Sequence, residues 1–364
     1  MDISIIITYY SGLNILKGCV NRLLDSLANT EYSYEIIIVN DNPNINLAEQ
    51  VISLQKLKII NHEKNSGHPM ACNTGAKYAT GTFLIFMDCD IFVSKDWLEP
   101  LLETYEKTPN AGAVSSTILD MATNKIHMTG VAIHQVDMLK ILRGADISEL
   151  TEVYGSYSFL SSACIMIPQS IFNKVDGFDI RFFNSDGDLD LTYRISLLGF
   201  QLITSYKSLV YHKGRVAGTM RNLSVNDTKA LFFKKWGNQL PDGLTQLQQL
   251  YTKFREDNKL SKKYLLINLS KSLFVEDYFE IVEKCLKIEI IQIYNFKQYA
   301  NNEYVSLADF IGENIMHYNI PIIFFSDNYK CISNNFFWFS QRCLFNDLTI
   351  DIHGNISNIK KFYS

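Results

Sequence analysis

Three apolar runs in the first 90 residues each stop on a polar cluster, and this repetition restricts the fold more than any other feature of the chain. The runs are Ile3-Ser4-Ile5-Ile6-Ile7, Glu35-Ile36-Ile37-Ile38-Val39 and Phe83-Leu84-Ile85-Phe86-Met87. They end on Thr8-Tyr9-Tyr10, Asn40-Asp41-Asn42-Pro43 and Asp88-Cys89-Asp90. Short apolar runs bounded by polar residues read as buried strands. Between them Ile15, Leu16, Val20, Leu23, Leu24 and Leu27 mark a helix over 14–27, and Leu47 to Leu54 is a shorter candidate. Pro69 to Thr80 reads as a helix with proline in its first turn and Gly81 at its end. Alternating strands and helices imply parallel neighbours joined by right-handed crossovers. Ligands bind beyond the carboxyl ends of such strands, so an aromatic, a single carboxylate and a carboxylate pair are expected to face one crevice.

At 364 residues the chain is long for one domain, so a main domain with an appendage is expected. A hydrophobic content of 47% supports a full core, and 20% charged residues without a polar low-complexity tract argue against extensive disorder. The formal net charge of −4 gives no electrostatic ground for nucleic-acid binding. The seven cysteines are scattered, odd in number and without a C-x-x-C, which reads as reduced cytoplasmic cysteine and not as a disulfide framework or zinc site. No run reaches the roughly 18 apolar residues of a membrane span. The chain enters a strand at once, so no signal peptide is expected. The expected location is the cytoplasm, which leaves room for peripheral attachment at the inner face of a membrane.

Residues 1–115 carry the regular alternation, with a further strand at Lys58-Ile59-Ile60, and residues 116–158 are less regular, with a hairpin strand at Gly130-Val131-Ala132-Ile133. Leu160 to Ile167 reads as a strand closed by Pro168, and Asp190 to Leu198 as a short helix ended by Gly199. Gln201 to Thr204 and Leu209 to His212 read as two short strands. Composition shifts after Trp236-Gly237, where an amphipathic helix over 244–260 precedes apolar runs at Ile288–Ile293 and Ile320–Phe325. The expected division is a catalytic domain over 1–237, in halves 1–115 and 116–237, and an accessory domain over 238–364.

The acidic clusters carry the chemistry. Asp88-Cys89-Asp90 follows directly on five apolar residues, where a pair of carboxylates can hold a divalent cation against a diphosphate; the bland alternative is a solvated turn. Asp41 either makes an Asx turn with Asn42-Pro43 or accepts the imide N–H of a uracil or thymine, with Tyr10 stacking on the base. Asn65-Ser66-Gly67-His68 leads into the predicted helix that carries Asn73, and a loop entering a helix offers N–H groups to phosphate or hydroxyl; His68 also reads as an ordinary surface residue. Asp186, Asp188 and Asp190 have the spacing that opens a calcium loop, but Leu191 and Leu197 occupy its sixth and twelfth positions, which excludes it. Asp188 at a helix start suits a general base that takes a proton from an acceptor hydroxyl, against the plainer reading of helix-capping acids. His212 is a candidate third metal ligand, and Lys213 or Arg215 can offset phosphate charge.

With these motifs in order, residues 1–236 resemble the family 2 glycosyltransferases with the GT-A fold. The resemblance adds Gly177-Phe178-Asp179, Arg181-Phe182-Phe183, Asp188-x-Asp190-Leu191-x-x-Arg194 and Val210-Tyr211-His212 to the clusters above. It implies a mostly parallel central sheet flanked by helices, with residues 238–364 as an α/β or mostly helical appendage. It also implies transfer of a sugar, with inversion, from a nucleotide-diphosphate donor, UDP-sugar favoured and dTDP-sugar next. Thr8, Tyr10, Asp41, Asn73 and Asp88 then hold the nucleotide; Asp90, Asp88 and His212 ligate Mn²⁺ or Mg²⁺; Lys213 and Arg215 meet the diphosphate; Asp188 is the base. Gly187 stands where the family has Glu before its Asp, so Asp186 is the alternative base. The acceptor is expected to be a glycan, lipid-linked or protein-linked, in bacterial surface polysaccharide or glycoconjugate synthesis; for residues 238–364, which match none of these motifs, acceptor binding, self-association (a homo-oligomer) and docking at a membrane stay open. The rival readings are a haloacid-dehalogenase-type phosphatase, which leaves Tyr10 and Asp41 unused, and a non-catalytic sugar-nucleotide-binding module.

Overall fold

The computed structural model describes residues 2–47, 57–134, 137–142, 146–213, 219–241, 263–269, 283, 288–295, 320–326, 347–350 and 356–358. Two compact units emerge, one of Met1–Ile141 with Asp146–Gly243 and one of Leu142–Ala145 with Leu244–Ser364. The first unit contains β1 (Ile3–Tyr9), β2 (Tyr34–Asn40), β3 (Leu57–Asn61), β4 (Phe83–Asp88), β5 (Ile91–Val93) and β6 (Ala111–Asp120). It continues with β7 (Ile126–Met128), β8 (Val131–His134), β9 (Asp137–Lys140), β10 (Tyr154–Ser156), β11 (Cys164–Pro168) and β12 (Gln201–His212). Its described helices are α1 (Leu13–Leu27), α2 (His68–Tyr78), α3 (Leu98–Lys107), α4 (Gln169–Lys174), α5 (Gly187–Leu197) and α6 (Thr219–Trp236).

One sheet runs β10-β12-β6-β11-β4-β1-β2-β3, with β5 added on β12 and β7 on β6, while β8 and β9 make a separate hairpin. Strands β3, β2, β1 and β4 are parallel, and their register sets Thr8 opposite both Val39 and Asp88 and Tyr9 opposite Asn40. The three polar clusters therefore leave the sheet at one level. Strand β11 is antiparallel to β4 and β6, and β12 returns parallel to β6, so the sheet is mixed.

Apolar side chains cover both faces. Ile3, Ile5, Ile7 and Tyr9 share a core with Leu16, Val20 and Leu23 of α1, whose spacing lines one helix face. On the opposite face Ile6 meets α2 at Gly75, where a Cβ would stand 2.3 Å from Ile6 Cγ2 and 3.3 Å from Val39 Cγ2. Only a residue without a side chain lets this helix lie so close to the sheet.

Several boundaries differ from the sequence reading. Strand β6 fills a stretch without a clear apolar pattern because its small residues are buried with their hydroxyls satisfied. Ser115 Oγ meets Thr204 Oγ1 at 2.7 Å, Ser116 Oγ meets Ser208 Oγ at 2.8 Å, and Thr117 Oγ1 donates to the Ser205 carbonyl at 2.9 Å. The two short strands expected over 201–212 are one strand, β12, whose pairing with β6 slips between Ser205 and Leu209; such a bulge interrupts the alternation that sequence reading relies on. Strand β11 begins at Cys164 and not at Leu160, α5 begins at Gly187 and not at Asp190, and α2 ends at Tyr78. Apart from Leu47, the helix expected over 47–54 lies outside the described residues, as does the one expected over 244–260.

The described strands of the second unit are β13 (Lys263–Asn268), β14 (Glu289–Asn295), β15 (Ile322–Phe325), β16 (Leu348–Ile350) and β17 (Ile356–Asn358). They form a sheet ordered β14-β13-β15-β16-β17, parallel except for β17. Leu266, Ile323, Phe325 and Ile350 form its core, and the buried Asp347 carboxylate accepts the Ile322 N–H at 2.8 Å. No described helix in either unit is long and apolar enough to cross a membrane.

Replacing Gly75 by Val forces α2 away from Ile6 and is expected to lower stability by about 1–3 kcal/mol, the usual range for overpacking. Urea denaturation of the two proteins measures it.

Candidate active site

A cavity of about 470 Å³ opens beyond the carboxyl ends of β1, β2 and β4. Its lining joins residues far apart in the chain: Thr8 and Tyr10, Asp41, His68, Asp88 and Asp90, Lys140, Ser162, and the Asn184–Leu189 segment.

Tyr10 is 43% exposed at the rim, which leaves its ring open to a flat ligand. Asp41 is 5% exposed and already engaged. Its Oδ1 accepts the His62 Nδ1–H and the Ser66 N–H, and its Oδ2 the Gly67 N–H, each at 2.8 Å. The other ring nitrogen of His62 meets Thr74 Oγ1 at 2.9 Å. Asp41 therefore pins the 65–67 loop to the end of β2 and keeps part of Oδ2 for a further donor. Asn73 is not among the lining residues. Its amide accepts the Phe178 N–H and donates to the Phe178 carbonyl, both at 2.8 Å, and so ties α2 to the 177–178 turn.

Asp88 ends β4, with Oδ1 at 3.3 Å from His68 Nε2. Gly67, at φ 86°, turns the chain into α2 so that His68 opens the helix, and the His68 N–H donates to the Phe183 carbonyl at 2.9 Å. Burial opposes charge on His68, but Cys72 and Asp88 beside it outweigh burial and push its pKa well up. Asp90 is 9% exposed, and its Oδ2 lies 3.4 Å from His212 Nε2 at the end of β12. Burial lowers the His212 pKa, and Asp90 more than restores it, so the net shift is upward. Lys213 donates its backbone N–H to the Asp90 carbonyl at 3.1 Å, but its side chain is exposed and not part of the lining. Arg215 lies outside the described residues.

Among the described residues no three or more His, Cys, Asp or Glu are gathered as a ready-made metal cage. The donor chemistry nevertheless fits a hard cation: a carboxylate and an imidazole converge at Asp90 and His212, with Asp88 on the same turn. Mg²⁺-type sites characteristically take one or two carboxylates and leave the remaining positions to water and substrate phosphates.

Asp188 faces the same cavity from the first turn of α5. Its Oδ2 accepts the Ser162 N–H at 3.1 Å. Burial pushes its carboxyl pKa up, outweighing that bond and the nearby His68. Asp186 also lines the cavity, but it is the N-cap of α5 in a left-handed conformation (φ 63°), and its carbonyl accepts the Asp190 N–H at 3.0 Å.

A charged clamp behind α5 fixes this edge. Asp190 is fully buried; its Oδ2 pairs with Arg194 at 2.8 Å, and its Oδ1 accepts from Trp236 Nε1 at 2.8 Å and Lys235 Nζ at 2.6 Å. Arg194 also donates to the Val175 carbonyl, and at 2.7 Å to that of Gly177. Lys235 reaches Asp179 at 3.0 Å, where Arg181 also binds.

Sequence reasoning missed His62, Lys140 and Ser162, and left His68 between two readings. Each belongs to a separate segment, and none carries a local pattern that marks it.

A mixed sheet of this order, flanked by helices and with a cavity at its strand ends, is the GT-A fold. The sequence pattern of glycosyl transferase family 2 matches residues 4–176, and this part of the chain is a domain of that family. The chain is similar to the O-antigen biosynthesis protein RfbC of Myxococcus xanthus, with 28% identity over 225 residues that cover 58% of this chain and 17% of that protein. It is also similar to the poly-β-1,6-N-acetyl-D-glucosamine synthase of Staphylococcus epidermidis, with 24% identity over 201 residues, 52% of this chain and 47% of that enzyme. The chain thus spans less than half the length of these curated relatives. The crystal structure of GalNAc-T7 with UDP, GalNAc and Mn²⁺ shares the fold at a TM-score of 0.50 and 19% identity, over 71% of this chain and 54% of that one.

Replacing Asp190 by Asn leaves Arg194 and Lys235 facing a neutral amide, and stability is expected to fall by about 3–5 kcal/mol, as when one partner of a buried ion pair is removed. A double cycle with Arg194→Met should give less than the sum of the single losses in urea unfolding. Acid titration provides a separate check. Hydrogen bonds from Arg181 outweigh burial at Asp179 and, with Lys235, hold its carboxyl well below the usual carboxylate range. Its folded pKa is below its unfolded one, so its contribution is present above about pH 4 and fades as pH falls further. Stability of Asp179→Asn should therefore fall less steeply below about pH 4 than that of the wild type.

Proposed function

We propose that the first unit transfers a sugar, with inversion, from a nucleotide-diphosphate donor to an acceptor hydroxyl. The observation that carries this reading is the placement of Asp88 and Asp90 at one strand end and Asp188 at a helix start around a single cavity. One set of carboxylates suits a cation and its diphosphate, and the other suits a proton acceptor. UDP-sugars are the favoured donors and dTDP-sugars the next. Relatives that make O-antigen and poly-N-acetylglucosamine support a glycan acceptor, lipid-linked or protein-linked, in bacterial surface polysaccharide or glycoconjugate synthesis.

In this reading Tyr10 stacks on the base, Thr8 and Asp88 meet the ribose side, and Asp41 offers the remaining capacity of Oδ2 to the base while holding the 65–67 loop. Asp90, His212 and Asp88 would hold Mn²⁺ or Mg²⁺, which neutralises diphosphate charge when bound. Asp188 takes the proton of the acceptor hydroxyl as its oxygen attacks the anomeric carbon. The raised pKa of Asp188 matches this task, since a base works best when its pKa approaches the working pH. Ser162 orients the carboxylate through its backbone N–H. Asp188 is preferred to Asp186 because the Ser162 N–H holds its carboxylate and burial raises its pKa. Proximity and preorganised polar groups supply most of the rate.

Melting curves with UDP, dTDP, GDP and CMP, each with and without Mn²⁺, test the donor site, because a ligand of the native state raises the melting temperature. A rise with UDP or dTDP that Mn²⁺ enlarges is expected, and Asp90→Asn should abolish both the Mn²⁺ increment and transfer. Asp188→Asn should keep nucleotide binding while turnover falls by roughly 10²–10⁴-fold, the usual yield of general base catalysis. The same loss in Asp186→Asn, with Asp188→Asn active, would transfer the base role to Asp186.

A further inference from the structure

We propose that Lys140, seated by His127, is the cation that binds the diphosphate of the donor and receives it as the leaving group; this rests on the nucleotide-diphosphate reading above. Among the described residues that line the cavity, Lys140 is the one Lys or Arg, set against Asp41, Asp88, Asp90, Asp186 and Asp188. A surface so rich in carboxylates repels an anionic donor unless cations are placed within it.

Lys140 ends β9, the second strand of the β8–β9 hairpin, and its Nζ lies 2.6 Å from His127 Nε2. An ammonium group only donates, so the imidazole accepts through Nε2. The His127 ring lies 5.2 Å from that of His212, centroid to centroid, and His212 Nε2 is 3.4 Å from Asp90 Oδ2. Lys140, His127, His212 and Asp90 thus form one chain of neighbours leading to the carboxylate pair. The charge of Lys140 is felt at His212, where it opposes protonation. An ammonium group carries three N–H donors, and His127 engages one of them. When the bond from the anomeric carbon to the β-phosphate oxygen breaks, the electron pair stays on that oxygen. A positive group already in place stabilises the charge that develops there. His127 restricts the long side chain, which reduces the entropy lost on binding.

Isothermal titration in EDTA with UDP, UMP and inorganic pyrophosphate, on the wild type, Lys140→Met and Lys140→Arg, tests the assignment without any bound cation. The wild type should prefer UDP to UMP. Lys140→Met should lose about ten- to a hundred-fold in affinity for UDP, the range for a charge-assisted hydrogen bond. It should lose pyrophosphate binding as well, while UMP binding and the ligand-free melting temperature stay close to wild type. Lys140→Arg should retain the UDP preference; if it behaves like Lys140→Met, a charge role is overturned. An unchanged UDP-to-UMP ratio in Lys140→Met overturns the Lys140 assignment alone. A wild type that binds none of UDP, dTDP, GDP and CMP, with or without Mn²⁺, overturns this proposal together with the reading on which it rests.

Discussion

A carboxylate cut off from water is stable only when it is paired, and Asp190 is paired from three directions. Arg194 on its own helix, and Lys235 and Trp236 on α6, converge on its two oxygens. Arg194 continues to the carbonyls of the 175–177 turn, and Asn73 holds the next residue of that turn from α2. Helix α5 is thereby fixed relative to α2. The first carries Asp188 and the second His68, so one buried charge sets the distance between the two sides of the cavity. Breaking a buried pair costs more than making it contributes, and the network therefore acts as a geometric constraint more than as a reserve of stability.

The three strand-end carboxylates follow one pattern. Each has an imidazole beside it: His62 at 2.8 Å from Asp41, His68 at 3.3 Å from Asp88 and His212 at 3.4 Å from Asp90. Asp188 differs, for it takes a backbone N–H and its pKa is pushed up by burial. Environment alone thus sets Asp188 apart from the other three, although all four have the same side chain.

Much of the parallel half was legible in the sequence, because strands buried on both faces write themselves as continuous apolar runs. That is why β1, β2 and β4, and the clusters that end them, could be read directly. Strand β6 was not legible, since Ser115, Ser116 and Thr117 hide as polar residues and satisfy their hydroxyls across strands. Strand β12 was legible only in halves because its register slips. Of the site, the acids stood out at strand and helix ends, whereas Lys140 acquires meaning only because the β8–β9 hairpin borders the cavity, and His127 only because it lies beside Lys140. Asn73 shows the converse: a motif residue whose side chain is spent on the Phe178 backbone.

The engagement of Asp41 has a consequence for how such a chain can diverge. One side chain holds the 65–67 loop and, in the proposed reading, also faces the base. A substitution there that altered nucleobase preference would at the same time release the loop that leads into α2. The two traits are joined in one carboxylate, so they cannot be inherited separately. Drift in donor choice is thereby directed to neighbours such as Tyr10, whose exposed ring makes no hydrogen bond or ring contact among the described residues.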